Sequence, residues 1–194
     1  MKAVLLSIKP KYCELIASGK KTIEVRKTKP KLKTPFKCYI YETKAINHQK
    51  ILVDLDGNLP TTYAKGSGKV IGEFVCDRIE IFDVPYPAYS YEMRKDIQDL
   101  SGLGYFQLHK YANHKYRSLY AWYISNLVIY DKPKELSEFY KRTPCKHYQE
   151  STFVSILDHC NYAYPCERIG EFETYCQGEK LTRPPQSWCY VEEL

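Results

Sequence analysis

The first 27 residues place the tightest constraint on the fold, because they combine two strand patterns with a short helix between them. Residues 2–8 (KAVLLSI) are an apolar, β-branched run typical of a buried strand, which ends at Lys9 and Pro10. Pro10 suits the first position of a helix, and Gly19 can adopt the left-handed conformation that ends one. Residues 21–27 (KTIEVRK) then alternate between apolar and polar, as a strand with one buried face does.

This alternation also sorts the charged side chains of the second strand. Thr22, Glu24 and Arg26 point to one side, with roughly 6 to 7 Å between the α-carbons of the last two, and Lys21 at the turn can reach toward them. A carboxylate flanked by two cations can accept a hydrogen bond from a base edge while the cations hold a phosphate. The same trio can activate a water, with Glu24 as general base. The alternative is an ion-pair network that only satisfies a partly buried carboxylate, and spacing alone does not separate these interpretations.

The rest of the chain is rich in short strand patterns. Residues 36–43 and 122–133 have strand character, and residues 69–82 indicate a long bent strand in which Gly72 marks a bulge or a close backbone approach. Residues 91–123 show mixed helical periodicity with a break at 101–104. Many strands with few helices predict an α+β protein, a small closed β-barrel decorated with short helices, as one domain over residues 1–194. We expect the tail around Trp188 to form the strand that closes the sheet.

Charge is distributed unevenly along the chain. The net charge is +6, but residues 1–50 hold 13 Lys and Arg against three Glu, so the remainder is net acidic. A basic end predicts a polyanionic partner, because Lys and Arg opposite phosphates release condensed counterions. A solvated lysine face is the alternative. The chain also has 19 tyrosines, and the aromatic cluster Trp122, Tyr123, Trp188 and Tyr190 can either stack on a base or pack in the core.

Residues 141–180 gather four of the eight cysteines and look like a cysteine-rich insertion before the final strand. Its possible soft metal ligands are Cys145, His147, His159, Cys160, Cys166 and Cys176. Four thiolates, Cys145, Cys160, Cys166 and Cys176, would suit a structural zinc, but the paired C-x2-C knuckles typical of zinc sites are missing, so a reduced insertion without metal is the alternative. Without a signal-peptide or membrane-span pattern, we expect a cytoplasmic protein with no membrane partner and no disulfide framework.

The segment SIKP at 7–10 and the run GKKTIEVR at 19–26 together resemble the signature of the ASCH family, whose hallmark has the form G-x-K-x-x-E-x-R. Gly19, Lys21, Glu24 and Arg26 fill its four fixed positions. Blocks at 70–74 (VIGEF), 122–125 (WYIS), 131–133 (DKP) and 183–190 (RPPQSWCY) are similar to those of ASCH proteins common in Gram-positive bacteria and their phages.

The resemblance implies a PUA-like barrel with the hallmark motif lining a cleft, in a superfamily associated with RNA and modified-base recognition. It predicts a protein that binds RNA or a nucleotide-like ligand through Ser7, Lys9, Lys21, Thr22, Glu24 and Arg26. Since one fold hosts several functions, two alternatives stay open. One is a hydrolase, either a ribonuclease or a modified-nucleoside amidohydrolase, with Lys21, Glu24 and Arg26 as catalytic residues. The other is a phage or mobile-element protein that binds a host protein.

The amidohydrolase alternative meets a chemical obstacle. One enzymatic branch of the family removes an acetyl group from N4-acetylcytidine with a lysine and a K-T-I-T-like run, whose second threonine is the nucleophile. Lys21 and Thr22 match that run, but Glu24 occupies the nucleophile position. A carboxylate there would form a mixed anhydride rather than an ordinary acyl ester, which disfavours this mechanism.

Overall fold

The structure is a computed structural model that describes residues 2–47, 64–85, 94–115, 117–141, 143–144, 167–168, 174–176 and 180–194. Its strands are β1 (Lys2–Ile8), β2 (Ile23–Arg26), β3 (Phe36–Glu42), β4 (Ile46–Asn47), β5 (Ala64–Lys65), β6 (Val70–Val84), β7 (Arg117–Lys134), β8 (Thr143–Pro144), β9 (Glu167–Arg168), β10 (Thr174–Cys176) and β11 (Trp188–Glu192). Its helices are α1 (Pro10–Ala17), α2 (Lys95–Ser101) and α3 (Tyr105–Tyr111), with a 3-10 turn at Leu136–Glu138. Within the described ranges, no helix has the length and apolar character needed to cross a membrane.

One mixed six-stranded sheet, in the order β11-β1-β3-β6-β7-β2, organises the molecule. β1 and β3 run parallel, while every other neighbouring pair in this sheet is antiparallel. A parallel pair needs a crossover connection, and α1 and β2 lie in the chain between these two strands. The predicted unit of strand, helix, glycine stop and strand is therefore present, and Gly19 has the left-handed φ of 72°.

The sheet is not closed into a barrel, so the predicted closed barrel is wrong. The tail strand β11 pairs with β1, as one edge of the sheet, and in the described residues it does not pair with β2 at the other edge. The gap between the edges is bridged by a side chain instead, since Arg26 of β2 donates to the main-chain oxygens of Ser7 and Ser187.

Apolar side chains cover both faces of the sheet. One cluster packs α1 onto the sheet through Cys13 and Ile16, around the fully buried Trp122. A second cluster packs α2 and α3 on β2 and the ends of β6 and β7, with Ile97 and Leu108 completely buried. Burying such side chains contributes about 1.5–3 kcal/mol each, which fixes the helices against the sheet.

The long strands β6 and β7 form a bent hairpin with several register shifts, as the sequence pattern indicated for β6. Gly72 is the predicted close approach: a β-carbon there would lie 2.4 Å from the carbonyl oxygen of Val128. β7, however, begins at Arg117, inside the segment that we predicted as helical. Within residues 91–123, only the part before β7 forms the expected two helices, α2 and α3, which are separated at Gly102 with φ 62°.

Candidate functional site

A cavity of about 930 Å³, here called the cleft, opens where the Arg26 side chain bridges the two edges of the sheet. Its walls come from the end of β1, from α1, from β2, from α3 and from the loop at 184–187. The strand–helix–strand unit therefore supplies one wall, and segments more than 75 residues later in the chain supply the others.

Glu24 lines the cleft and lies between the two cations of the motif. Its Oε2 atom is 3.2 Å from Lys21 Nζ, and its Oε1 atom is 3.1 Å from Arg26 Nε. The Glu24 side chain is 11% exposed. Within the described part of the chain, neither Glu24 Oε2 nor Arg26 Nε has a partner with good hydrogen-bond geometry, so both contacts are charge–charge contacts rather than aligned hydrogen bonds. Glu24 nevertheless lines the cleft, so what remains exposed of its side chain borders the cavity.

Lys21 is almost completely enclosed, with 2% of its surface exposed. Its ammonium group donates to the carbonyl oxygen of Ser101 at 2.8 Å and lies 5.5 Å from the centre of the Tyr12 ring. Burial lowers the pKa of Lys21 below its ordinary value, because removal from water disfavours the charged form, while the attraction of Glu24 acts in the opposite direction. The site therefore holds a buried ammonium whose charge depends on its carboxylate partner.

The remaining donors of Arg26 form hydrogen bonds within the protein. Its Nη2 atom donates to the Ser7 carbonyl oxygen at 3.0 Å, and its Nη1 atom donates to the Ser187 carbonyl oxygen at 3.2 Å and to the Ser187 hydroxyl at 3.3 Å. The hydroxyl of Ser7 in turn donates to the carbonyl oxygen of Pro185 at 2.6 Å. Arg26 thus positions the loop wall, and we do not expect it to be the main phosphate contact.

More accessible cations surround the opening. Lys9 is exposed, and Lys27 and Arg117 are partly exposed, and all three line the cleft. Lys27 donates to Asn113 Oδ1 at 3.0 Å and lies 4.9 Å from the centre of the Tyr111 ring. These side chains can meet a phosphate without losing a buried partner.

Most of the predicted ligand residues meet at this one place. Ser7, Lys9, Lys21, Glu24 and Arg26 all line the cleft. Thr22 does not: its side chain is exposed, and its backbone joins Leu100 and Ile124.

The predicted aromatic cluster lies elsewhere. Trp122 is completely buried in the core and meets the Phe36 ring edge to face at 5.8 Å. The Tyr123 hydroxyl donates to Glu80, and the Tyr190 hydroxyl accepts from the backbone amide of Lys31. Neither tyrosine lines the cleft. The aromatic rings that do line the cleft belong to Tyr12 and Tyr111.

Sequence reasoning missed the part of the cleft that long-range folding brings in. Gln107, Tyr111 and Arg117 line it, and they come from the segment whose periodicity was mixed. The run 184–187 also lines it. Its proline-rich sequence between two strand patterns was a detectable signal of an ordered loop, although nothing in that pattern told which wall it would form.

The zinc prediction is not tested by the structure. Cys145, Cys160 and Cys166 lie outside the described residues, as do His147 and His159, and the side chain of Cys176 at the end of β10 is not described either. The cysteines that are described, Cys13, Cys38, Cys76 and Cys189, are free thiols. Among described side chains, no group of three or more potential metal ligands converges.

Comparison with known proteins gives one clear family match. The model of the ASCH domain family matches residues 6–159. The crystal structure of an ASCH protein from Zymomonas mobilis is similar with 20% identity and a TM-score of 0.47, over 69% of this chain and 73% of that chain. A tyrosine-to-phenylalanine variant of the Zymomonas mobilis protein gives 18% identity and a TM-score of 0.46, over 70% of this chain and 77% of that chain. No curated protein matches.

Proposed function

The chain belongs to the ASCH domain family, and from that premise we propose that it binds RNA or a modified nucleotide, with one nucleotide held in the cleft. The observation that carries this proposal is the Glu24 carboxylate, which is largely buried between the cations of Lys21 and Arg26 and belongs to a residue that lines a cavity of nucleotide size. Pockets for small ligands enclose about 300–1,000 Å³, and the cleft has about 930 Å³.

The charges of the cleft suit such a ligand. An amino or imino group of a base can donate to Glu24, which gives a charge-assisted hydrogen bond to a largely buried carboxylate. Lys9, Lys27 and Arg117 at the opening can then hold the phosphate. Tyr12 and Tyr111 line the same cleft and offer ring surfaces on which a base can stack. Base recognition and phosphate binding are thus assigned to different residues.

Salt dependence tests the phosphate part of this proposal. Anisotropy of a fluorescein-labelled single-stranded RNA should show a log affinity that falls linearly with log salt. Lys9→Ala and Lys27→Ala should each reduce the steepness by about 0.7, the value for one phosphate contact on a single strand. Lys132→Ala, which removes an exposed lysine on β7 outside the cleft, is the matched control and should change nothing. A flat salt response would contradict the proposal, and a wild-type protein that binds no RNA or nucleotide would favour a protein partner.

A hydrolase acting through the same residues is the second candidate, favoured by the enclosed Lys21 ammonium whose pKa is lowered beside a carboxylate. In that case Glu24 is the general base and Lys21 stabilises developing negative charge. Prolonged incubation with end-labelled RNA and with N4-acetylcytidine separates the candidates. Product that forms with wild type and drops about a hundredfold or more with Glu24→Gln, at unchanged ligand affinity, would identify an enzyme.

A further inference from the structure

Phe106 on α3 is the most exposed large hydrophobic side chain of the described residues, with 81% of its surface accessible. Single exposed apolar residues are common on protein surfaces and need no explanation by themselves. Phe106 differs in its location, because α3 also forms a wall of the cleft through Gln107 and Tyr111.

Helix geometry places Phe106 on the exposed side of α3, one residue before the wall begins at Gln107. Gln107 and Tyr111 are four residues apart and share one face of α3. Successive residues turn by about 100° around a helix, so Phe106 lies about 100° from Gln107 and about 140° from Tyr111, on the solvent-exposed side of α3. Lys110 follows Phe106 by four residues, is exposed, and lies on that same face about 6 Å further along the axis. We call Phe106 and Lys110 the α3 ridge.

The ridge has the composition of a single-strand binding surface. A phenylalanine ring can stack on any base, and a lysine nearby can neutralise the linking phosphate. In the structure the Phe106 ring meets only the neighbouring Tyr105 ring among described aromatic partners, with centres 5.4 Å apart at 81°. Most of the ring surface therefore stays available to a ligand that extends beyond the cleft.

We propose that the α3 ridge binds the nucleotide next to the one in the cleft, which makes single-stranded oligonucleotides, rather than free nucleosides, the ligand class. This inference rests on the proposed function, since it assumes a nucleotide in the cleft. It adds a second binding position, with Phe106 stacking on a base and Lys110 contacting a phosphate. The ligand then crosses from the cleft over the exposed side of α3.

Two probes of different length test it: a fluorescein-labelled random-sequence RNA pentamer, and the four ribonucleoside 5′-monophosphates measured by calorimetry. We expect Phe106→Ala to weaken pentamer binding about tenfold or more, as loss of one stacked base does, and to leave mononucleotide affinity within about twofold. Phe106→Trp should keep pentamer affinity, and Phe106→Leu should not. Val128→Ala removes another exposed apolar side chain, 49% accessible and outside the cleft, and should have no effect.

Lys110→Ala should reduce the salt dependence of pentamer binding by one phosphate contact, with Lys132→Ala as control. Equal binding of the pentamer by wild type and Phe106→Ala would overturn the inference and leave the proposed function intact. Pentamer affinity no higher than mononucleotide affinity would overturn it as well. If wild type binds neither probe, the proposed function fails and the inference fails with it. Because both ridge residues are exposed, unchanged melting temperatures will show that the variants are folded.

Discussion

Glu24→Gln is the change that most directly tests how the cleft is held together. It removes the negative charge between Lys21 and Arg26 and leaves the Lys21 ammonium, 2% exposed, with the Ser101 carbonyl oxygen as its other contact. Breaking a buried ion pair by removing one partner destabilises a protein by about 3–5 kcal/mol. The glutamine oxygen still accepts a hydrogen bond and the cleft admits water, so we expect the free energy of unfolding to fall by an amount near the lower end of this range, about 3 kcal/mol. For a chain of this length that lowers the melting temperature by roughly 6–12 °C.

A second substitution separates the destabilisation caused by the uncompensated Lys21 charge from the destabilisation caused by lost packing. Lys21→Met in the Glu24→Gln background removes the uncompensated ammonium and keeps most of the side-chain volume, so it should recover about 1–2 kcal/mol. Lys21→Met alone leaves Glu24 beside Arg26 and should destabilise less than Glu24→Gln alone. The double variant should be more stable than the sum of the two single losses indicates, because the two side chains act as a pair.

The pH dependence gives an independent readout. Burial lowers the pKa of Lys21 in the folded state, so between that pKa and its ordinary value the unfolded chain binds more protons. Stability from this group therefore rises with pH over that range. Glu24→Gln removes the attraction that holds the pKa of Lys21 up, so this pKa falls further and the pH range in which stability rises extends to lower pH. The variant should gain more stability than wild type between pH 7 and pH 9.5.

Urea unfolding followed by circular dichroism, for the four proteins of this cycle at both pH values, measures these free energies. Nucleotide titration of the folded double variant then reports on Glu24 as a ligand group, with an expected loss of about 1–3 kcal/mol for a charge-assisted hydrogen bond. A Glu24→Gln protein as stable as wild type at pH 7 would refute the reasoning. Strictly additive losses in the double variant would refute it too.

Three further predictions concern the frame around the site. Arg26→Lys keeps the charge but loses the donations to both main-chain oxygens, so we expect about 1–3 kcal/mol of destabilisation and faster hydrogen exchange of the Ser7 amide, measured by mass spectrometry or NMR. Burial raises the pKa of the Cys76 thiol to about 12, so the stability that this thiol contributes is fully present below pH 9 and falls by about 1.4 kcal/mol per pH unit from there toward pH 12. Cys76→Ala should therefore make the free energy of unfolding fall less steeply with pH over this range, measured by denaturation curves. An unchanged slope would contradict the assignment. Gly72→Ala places a methyl group 2.4 Å from the Val128 carbonyl oxygen and should lower the free energy of unfolding by about 1–3 kcal/mol. A melting temperature equal to that of wild type would show that the β6–β7 hairpin can shift to accommodate the methyl group without loss of stability.

Local sequence patterns predicted the local structure well. The strand at the start, the helix from Pro10, the left-handed Gly19 and the close approach at Gly72 all follow from residue types and spacing, and the structure confirms them. The grouping of Lys21 with Glu24 was also predictable, because alternation and the turn bring the two side chains to one side. Such features depend on a few neighbouring residues.

What could not be predicted depends on residues far apart in the chain. Arg26 looked like a ligand group, but its acceptors at Ser7 and Ser187 are brought beside it only by the complete sheet. The same holds for Ser101, which receives the Lys21 ammonium from 80 residues away. Barrel closure was inferred from the number of strands, which does not tell whether the first and last strands of a sheet meet. The exposed Thr22 was misplaced because a strict alternation was extended into the turn before β2.

The Arg26 bridge has a consequence for when the cleft first exists during synthesis. Its acceptor Ser187 lies 161 residues after Arg26, and the wall at 184–187 is followed at once by β11, which pairs with β1. A nascent chain can therefore display the whole hallmark motif on a translating ribosome while the pocket around it still lacks one side. Because domains are made from the N-terminus at about 5–20 residues per second, the motif precedes its finished pocket by several seconds or more. If the cleft binds a nucleotide as proposed, binding requires a chain completed through residue 192, and nascent chains stopped before residue 184 should bind no nucleotide.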